Sequence, residues 1–239
     1  MSNTTGDTYE TDSDIPAQAD GTTVYFEIYA EDDGGAETTS SEQNYTVTDP
    51  AFATLPDEQT FETDLDDMYQ YSVVGDQTWY WDEYGGDQYA RMTGFSGGSD
   101  YNNEDWLITP EFDFSGDVNT VLNFDEAINY GTGNIDNEQE VYISTNYAGI
   151  DDPGAADWTK LTVTGRASGD NWDFVSVEEV DLSAYDGETS VHIAFKYTST
   201  TSGSATWQVD NISVEQLGED GQSQLLLPTA AKAGAGHQP

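Results

Sequence analysis

The segment that decides the fold is Val191-His192-Ile193-Ala194-Phe195-Lys196-Tyr197. Its apolar residues recur at every second position, which puts His192 and Lys196 on the opposite face. A period of two predicts a β-strand with one buried face. Similar short segments follow Gly, Asn and Asp turns elsewhere in the chain, and no long helical pattern is visible. They are Val121–Phe124, Val141–Ser144, Leu161–Val163 and Trp207–Glu215. We therefore predict an all-β fold, an antiparallel β-sandwich of the jelly-roll type.

Composition changes along the 239 residues predict five segments. Residues 1–22 are polar and are expected to form a flexible lead. Residues 23–49 contain two strand patterns around a Gly-rich turn, which predict an additional β-hairpin, either part of an Ig-like domain or a pair of donor strands. Residues 50–57 are interpreted as a linker, 58–216 as the jelly-roll domain, and 217–239 as a flexible tail.

The charge balance limits the possible partners. The chain has 47 Asp and Glu against 5 Lys and Arg, a formal net charge of −42. Such a chain repels phosphate backbones and anionic membranes, so we expect no nucleic-acid partner. The longest apolar run near the C-terminus, Leu225–Leu227, is far too short to span a bilayer, and no membrane insertion is expected. Two interpretations of the acidity stay open: a hydrated surface adapted to a halophilic, high-salt habitat, or a set of calcium sites.

The side chains available for chemistry favour a protein that is not an enzyme. The sequence has no cysteine, which excludes disulfides and thiol chemistry. His192 is the only histidine of the predicted domain, and its position inside a strand suggests a structural role. A jelly-roll glycoside hydrolase remains an alternative, because it needs only two carboxylates. The segment Glu179–Ala184 begins like such a motif but lacks its closing Glu.

Three stretches resemble one known family. Arg91–Gly98, Asn103–Pro110 and Trp207–Val214 occur in the order seen in the choice-of-anchor J modules, which are relatives of the cleaved-adhesin and MAM-type jelly rolls. The resemblance covers roughly residues 58–216. It implies a jelly-roll accessory domain that is secreted or carried on the cell surface.

Calcium is the cofactor that this resemblance favours. Related jelly rolls place a calcium ligand at the position of Asp210, which interrupts an otherwise apolar strand. A carboxylate there is costly unless it is paired or bound to a metal. Glu62, beside Phe61, and Asp105, just before Trp106, are the next candidate ligands. The alternative for Asp210 is a hydrogen bond to backbone amides of a nearby turn.

Trp79, Trp81 and Tyr84 are the candidate ligand-binding residues. Alternation puts Trp79 and Trp81 on one face, where an exposed pair would stack on sugar rings or on a protein, and a buried pair would belong to the core. Trp158 and Trp172 flank acidic loops and suit either role.

The sequence therefore predicts an extracellular adhesion or binding module that recognises a glycan or a surface protein. One alternative is a structural subunit of an extracellular filament, assembled by β-strand addition through the N-terminal segment. The other is the glycoside hydrolase considered above.

Overall fold

The computed structural model describes residues 2–5, 8–10, 22–31, 34–46, 52–149 and 152–218. The chain divides into two compact units, Met1–Ala51 and Phe52–Pro239. Within the described ranges no helix is long and apolar enough to cross a membrane. Leu225–Leu227 and most of the predicted tail lie outside these ranges. Leu217, at the start of that tail, donates its amide to the carbonyl of Asn119.

The first unit consists of short antiparallel hairpins. Its strands are β1 (Ser2–Thr5), β2 (Thr8–Glu10), β3 (Thr23–Phe26), β4 (Tyr29–Glu31), β5 (Glu37–Thr39) and β6 (Gln43–Thr46). The predicted hairpin is present as two ladders, β3 with β6 and β4 with β5. The prediction of a flexible lead at 1–22 does not anticipate the pairing of β1 with β2. Threonine-rich polar segments suit an extended backbone, which hydropathy alone does not show. Most of the remaining lead lies outside the described residues.

The second unit is an antiparallel β-sandwich, which confirms the predicted fold class. Sheet one has the order β17-β14-β19-β10-β9, with β7 pairing β19 as well, and sheet two has the order β16-β15-β18-β13-β8. A one-turn helix, α1 (Ile135–Glu138), precedes β15, and β11 and β12 form a small separate hairpin. The strands are β7 (Asp57–Gln59), β8 (Tyr69–Val74), β9 (Tyr80–Tyr84), β10 (Asp87–Thr93), β11 (Phe95–Ser96), β12 (Ser99–Asp100), β13 (Asn103–Ile108), β14 (Thr120–Asn129), β15 (Gln139–Ser144), β16 (Thr159–Lys160), β17 (Val175–Asp181), β18 (His192–Ser199) and β19 (Thr206–Gln216).

The core lies between the inner faces of the two sheets. Along β18, Ile193, Phe195 and Tyr197 are fully buried in it, as the alternation predicts. Phe195 meets Phe124 of sheet one edge to face, with ring centroids 5.1 Å apart. Paired aromatic rings of this kind add to the free energy gained from apolar burial.

A bulge in β19 changes which residues face the core. Before it, Trp207 and Val209 are buried; after it, Ile212 and Val214 are. The extra residue falls around Asn211, which has φ 47°, a left-handed conformation that Asn tolerates better than most residues. The bulge also marks the point where β19 stops pairing with β10 and starts pairing with β7.

The sandwich begins earlier than the predicted boundary at residue 58. The Ala53 amide donates to the carbonyl of Glu111, Leu55 packs against the core, and β7 starts at Asp57. Most of the predicted linker 50–57 therefore belongs to the start of the sandwich domain.

The predicted strand Leu161–Val163 is displaced, because the sheet pairing of β16 ends at Lys160. Leu161 still reaches the core and donates its amide to Val141.

Candidate ligand-binding groove

Strand alternation puts a mixed aromatic and polar set on the outer face of sheet one. In β9 and β10, Trp81, Ala90 and Met92 pack toward the core. The residues between them face outward and pair across the ladder, Tyr80 opposite Arg91 and Tyr84 opposite Asp87. This face therefore presents phenol rings beside carboxylates and a guanidinium, instead of the usual fully solvated polar surface.

The segment before β17 forms a second wall over this face. Phe174 packs on Tyr89 with ring centroids 5.8 Å apart, and the Arg91 guanidinium lies 5.6 Å from the Trp172 ring. Gly169 anchors the start of this segment by accepting a 2.7 Å hydrogen bond from the amide of Gly131. A Cβ on Gly131 would come within 2.8 Å of that carbonyl oxygen, so the close approach requires a glycine.

A buried ion pair fixes the chain immediately before that wall. Arg166 donates to both carboxylate oxygens of Glu126, at 3.1 and 2.7 Å, and its guanidinium stacks on Trp207. Glu126 is fully buried and also accepts from the Ala167 amide and the Trp207 indole. Both oxygens of this buried carboxylate therefore accept hydrogen bonds, and the Arg166 guanidinium compensates its charge, as a buried charge requires.

Together the two walls enclose a groove of about 520 Å³ on the outer face. Three of its aromatic side chains are open to solvent: Tyr84 is 82% exposed, Trp172 42% and Phe174 38%. Flat exposed rings bordered by hydrogen-bonding groups are suited to stacking on the apolar faces of sugar rings. The lining consists of Asp82, Glu83, Tyr84, Asp87, Tyr89, Arg91, Trp172, Phe174 and Gln208.

The polar groups of the groove are ordered before a ligand arrives. Arg91 donates to Asp82 at 2.7 Å and lies over the rings of Tyr80 and Trp172. Burial raises the pKa of Tyr89 in the lining and of Tyr80 beside the lining, so both phenols stay protonated at neutral pH and can donate hydrogen bonds.

Of the three predicted ligand residues, the structure brings only Tyr84 into the groove. Trp79 is 1% exposed and packs on Trp207, with ring centroids 5.3 Å apart. Trp81 is half-buried and donates its indole N–H to the carbonyl of Phe61. The predicted alternation of this pair is correct, but its shared face is the core side, which a ligand does not reach.

The predicted metal ligands do not form one site. Glu62 and Asp210 lie close enough to interact, whereas Asp105 points into the core from β13. Burial raises the pKa of Asp210 to about 6, and repulsion from Asp125, Glu62 and Asp87 adds to the rise, although the Asn211 amide hydrogen bond opposes it. This contact is to the amide of the next residue in β19, not to a nearby turn, so both predictions for Asp210 stay open. Among the described residues no three acidic or histidine side chains converge to hold a metal ion.

Asp105 is an uncompensated carboxyl in the core. It is fully buried, and neither carboxylate oxygen has a hydrogen-bond partner among the described residues. Burial raises its pKa to about 7; the Ser72 hydroxyl offsets part of this rise without reaching hydrogen-bonding geometry. At neutral pH Asp105 is therefore poised between its charged and neutral forms.

His192 occupies a structural position on the outer face of sheet two. Its ring is 3% exposed and meets Tyr147 edge to face at 5.1 Å. Nδ1 shares a 3.0 Å hydrogen bond with the carbonyl of Thr109, and burial lowers the pKa of the imidazole. A ring so enclosed is badly placed to exchange protons with a substrate.

The fold and the groove define an all-β sandwich with an aromatic cleft on one sheet face. Residues 95–235 match the family DUF5017, a domain of unknown function, and the chain belongs to that family. No curated protein matches the sequence. The more specific resemblance to choice-of-anchor J modules stays a prediction.

Several solved structures are similar to this chain at low identity. The K1 cleaved adhesin domain of Lys-gingipain from Porphyromonas gingivalis W83 is 16% identical, with 69% of this chain and 100% of that chain covered and a TM-score of 0.45. A family 30 carbohydrate-binding module of a cellulosomal cellulase from Clostridium thermocellum is also 16% identical, with 66% and 97% covered and a TM-score of 0.40. At this level of similarity neither structure says what the present chain binds.

Proposed function

We propose that the chain is a non-catalytic, extracellular binding module that holds a glycan in the groove of sheet one. The observation that carries the proposal is the exposure of Tyr84, Trp172 and Phe174 around a cleft lined by hydrogen-bonding groups. Exposed aromatic rings are costly in water unless a partner covers them. Sugars offer apolar ring faces to the aromatics and hydroxyls to the Gln208 amide and the carboxylates.

The proposal is tested by binding to a panel of soluble polysaccharides in molar KCl, measured by affinity electrophoresis and titration calorimetry. Trp172→Ala removes a ring from the groove wall, and Phe95→Ala is the matched control, because Phe95 is 53% exposed but lies outside the groove lining. We expect Trp172→Ala to weaken binding at least about tenfold, or about 1.4 kcal/mol. Equal losses in both variants, or binding by neither the native chain nor the variants, would reject the proposal.

Calcium belongs to the same proposal as a stabilising ion. Glu62 and Asp210 are its candidate ligands, because their negative charges lie close enough to repel each other. A cation there would relieve their mutual repulsion. Asp105 lies in the core, apart from these two residues, and is an independent buried carboxyl.

Assembly by strand addition is the second candidate function, and it has its own observation. In the first unit Tyr25, Ile28 and Tyr29 are 61%, 46% and 52% exposed. In the second unit β8 ends sheet two, with Val73 and Val74 exposed along it. Open edges with apolar side chains favour pairing with another chain. Light scattering at high protein concentration should detect assembly that disappears when residues 1–50 are removed; a monodisperse monomer contradicts it.

A further inference from the structure

Resting on the proposed function, we infer that the groove takes an internal stretch of an uncharged, linear polysaccharide, and that it rejects uronic-acid and sulfated chains. Two features of the groove support this inference: the charges of its lining residues and the spacing of its aromatic rings.

The charged groups of the groove are mostly carboxylates, which disfavour an anionic ligand. Asp82, Glu83 and Asp87 line the cleft, and Arg91 is the only cation among the lining residues. One terminal nitrogen of the Arg91 guanidinium pairs with Asp82 at 2.7 Å, its Nε is buried without a hydrogen-bond partner, and the group lies over two aromatic rings. A sugar carboxylate or sulfate would lose its hydration beside Asp82 and Asp87, and the charge of the one nearby cation, Arg91, is already balanced by Asp82. This is unfavourable even where salt screens longer-range repulsion.

The same shortage of free cations extends over the described chain. Each of the four Lys and Arg residues in the described ranges takes part in an ion pair, and the fifth, Lys232, lies outside them. The four pairs are Arg91–Asp82, Lys160–Glu140, Arg166–Glu126 and Lys196–Glu104. An anionic polymer approaching the groove would therefore meet carboxylates first and would find no unpaired cation among these residues. The hydroxyls of a neutral sugar, by contrast, donate hydrogen bonds to carboxylates and bring no like charge beside them.

The rings are spaced for more than one sugar unit. Tyr80 and Tyr84 lie on the same face of β9, four residues apart, which corresponds to about 13 Å along a strand. At the Tyr80 end the wall continues from Trp172 to Tyr130, whose ring is 68% exposed and meets Trp172 edge to face at 5.8 Å. Tyr84 lines the groove, and Tyr80 and Tyr130 continue the row of exposed rings beyond the lining residues. A polymer can continue past either end, so a chain terminus is not required for binding.

The inference is tested with two comparisons, both in molar KCl. The first sets neutral polymers (mixed-linkage β-glucan, xylan and galactomannan) against anionic polymers (polygalacturonate, alginate and dextran sulfate). The second compares the disaccharide and the hexasaccharide of whichever neutral polymer binds. Trp172→Ala and Phe95→Ala are run alongside each measurement to identify binding in the groove.

We expect at least one neutral polymer to bind, with the binding lost in Trp172→Ala and kept in Phe95→Ala. Its hexasaccharide should bind at least about tenfold more tightly than its disaccharide, and none of the anionic polymers should bind. Trp172-dependent binding of an anionic polymer would overturn the inference on charge, and equal affinity for both oligosaccharides would overturn the inference on length. In either case the glycan-binding proposal would stand. If the native chain binds no polymer at all, the proposal and the inference both fail.

Discussion

Replacing Asp105 with Asn should stabilise the sandwich by an amount that depends strongly on pH. The pKa of Asp105 is about 7 in the folded chain against 3.8 for an unperturbed carboxyl, because the group is buried without a partner. A raised carboxyl pKa means that the folded state holds the proton more tightly than the unfolded state. The contribution of Asp105 to stability is therefore most favourable with the carboxyl protonated, and it falls as the pH rises from about 4 through 7.

The size of the effect follows from the shift. A difference of about three pKa units corresponds to about 4 kcal/mol at 1.36 kcal/mol per unit. Asn has nearly the shape of the protonated carboxyl and never takes a charge. We therefore expect Asp105→Asn to raise the free energy of unfolding by up to about 4 kcal/mol at pH 8, by about half of that at pH 5, and by little at pH 4.

Urea unfolding at fixed KCl, followed by tryptophan fluorescence, measures this difference directly. All six tryptophans lie in the second unit, so the signal reports the unfolding of the sandwich alone. Asp76→Asn is the control, because it removes one negative charge from an exposed position of the same unit. A gain that is equal at pH 5 and pH 8, or a loss of stability at pH 8, would refute the reasoning. A similar pH-dependent gain in the control would do so as well.

Three further predictions concern the ion pairs and the candidate calcium position. Calcium should raise the melting temperature relative to chelator at fixed salt, because an ion bound only by the folded state stabilises it; Asp210→Ala should abolish the rise, and equal melting temperatures in the native chain would contradict a calcium site. Arg166→Met should cost about 3–5 kcal/mol in urea unfolding by leaving Glu126 charged and buried; adding Glu126→Gln should recover part of the loss, and a cost below about 1 kcal/mol would show that the pair is not needed. Arg91→Met should weaken glycan binding several-fold in calorimetry while changing stability by less than about 1 kcal/mol, because its ion pair is partly exposed; unchanged affinity would remove Arg91 from the groove's function.

Sequence periodicity was sufficient for the sandwich because one face of each central strand is the core. The alternation in Val191–Tyr197 appears in β18, where Ile193, Phe195 and Tyr197 are buried. Periodicity did not predict which face of Trp79–Tyr84 is buried, because aromatic residues occupy both faces of that strand. Trp79 and Trp81 turn toward the core, and Tyr80 and Tyr84 turn outward. Which side is inner depends on the other sheet, which a single strand pattern does not contain.

The sequence did not predict the groove or the lack of hydrogen-bond partners at Asp105, because both depend on contacts between residues far apart in the chain. Phe174 reaches Tyr89 across 85 positions, through the pairing of β10 with β19 and of β14 with β17. The only local signal was Trp172 beside an acidic loop, which suits a core or a surface role equally. Asp105 stands in a polar stretch next to Glu104, and the sequence does not show that the odd-numbered residues of β13 face the core.

The outer wall of the groove has a consequence for how its specificity can change. The tip of this segment, Asn171–Phe174, is preceded by the Arg166–Glu126 anchor and the Gly169 contact, and is followed by β17. These attachments do not involve the side chains at the tip. A loop held at both ends in this way can diversify like an antibody hypervariable loop, with new tip residues selecting new ligands while the sandwich remains intact. Libraries randomised at Trp172 and Phe174 would therefore be a direct route to modules of altered specificity.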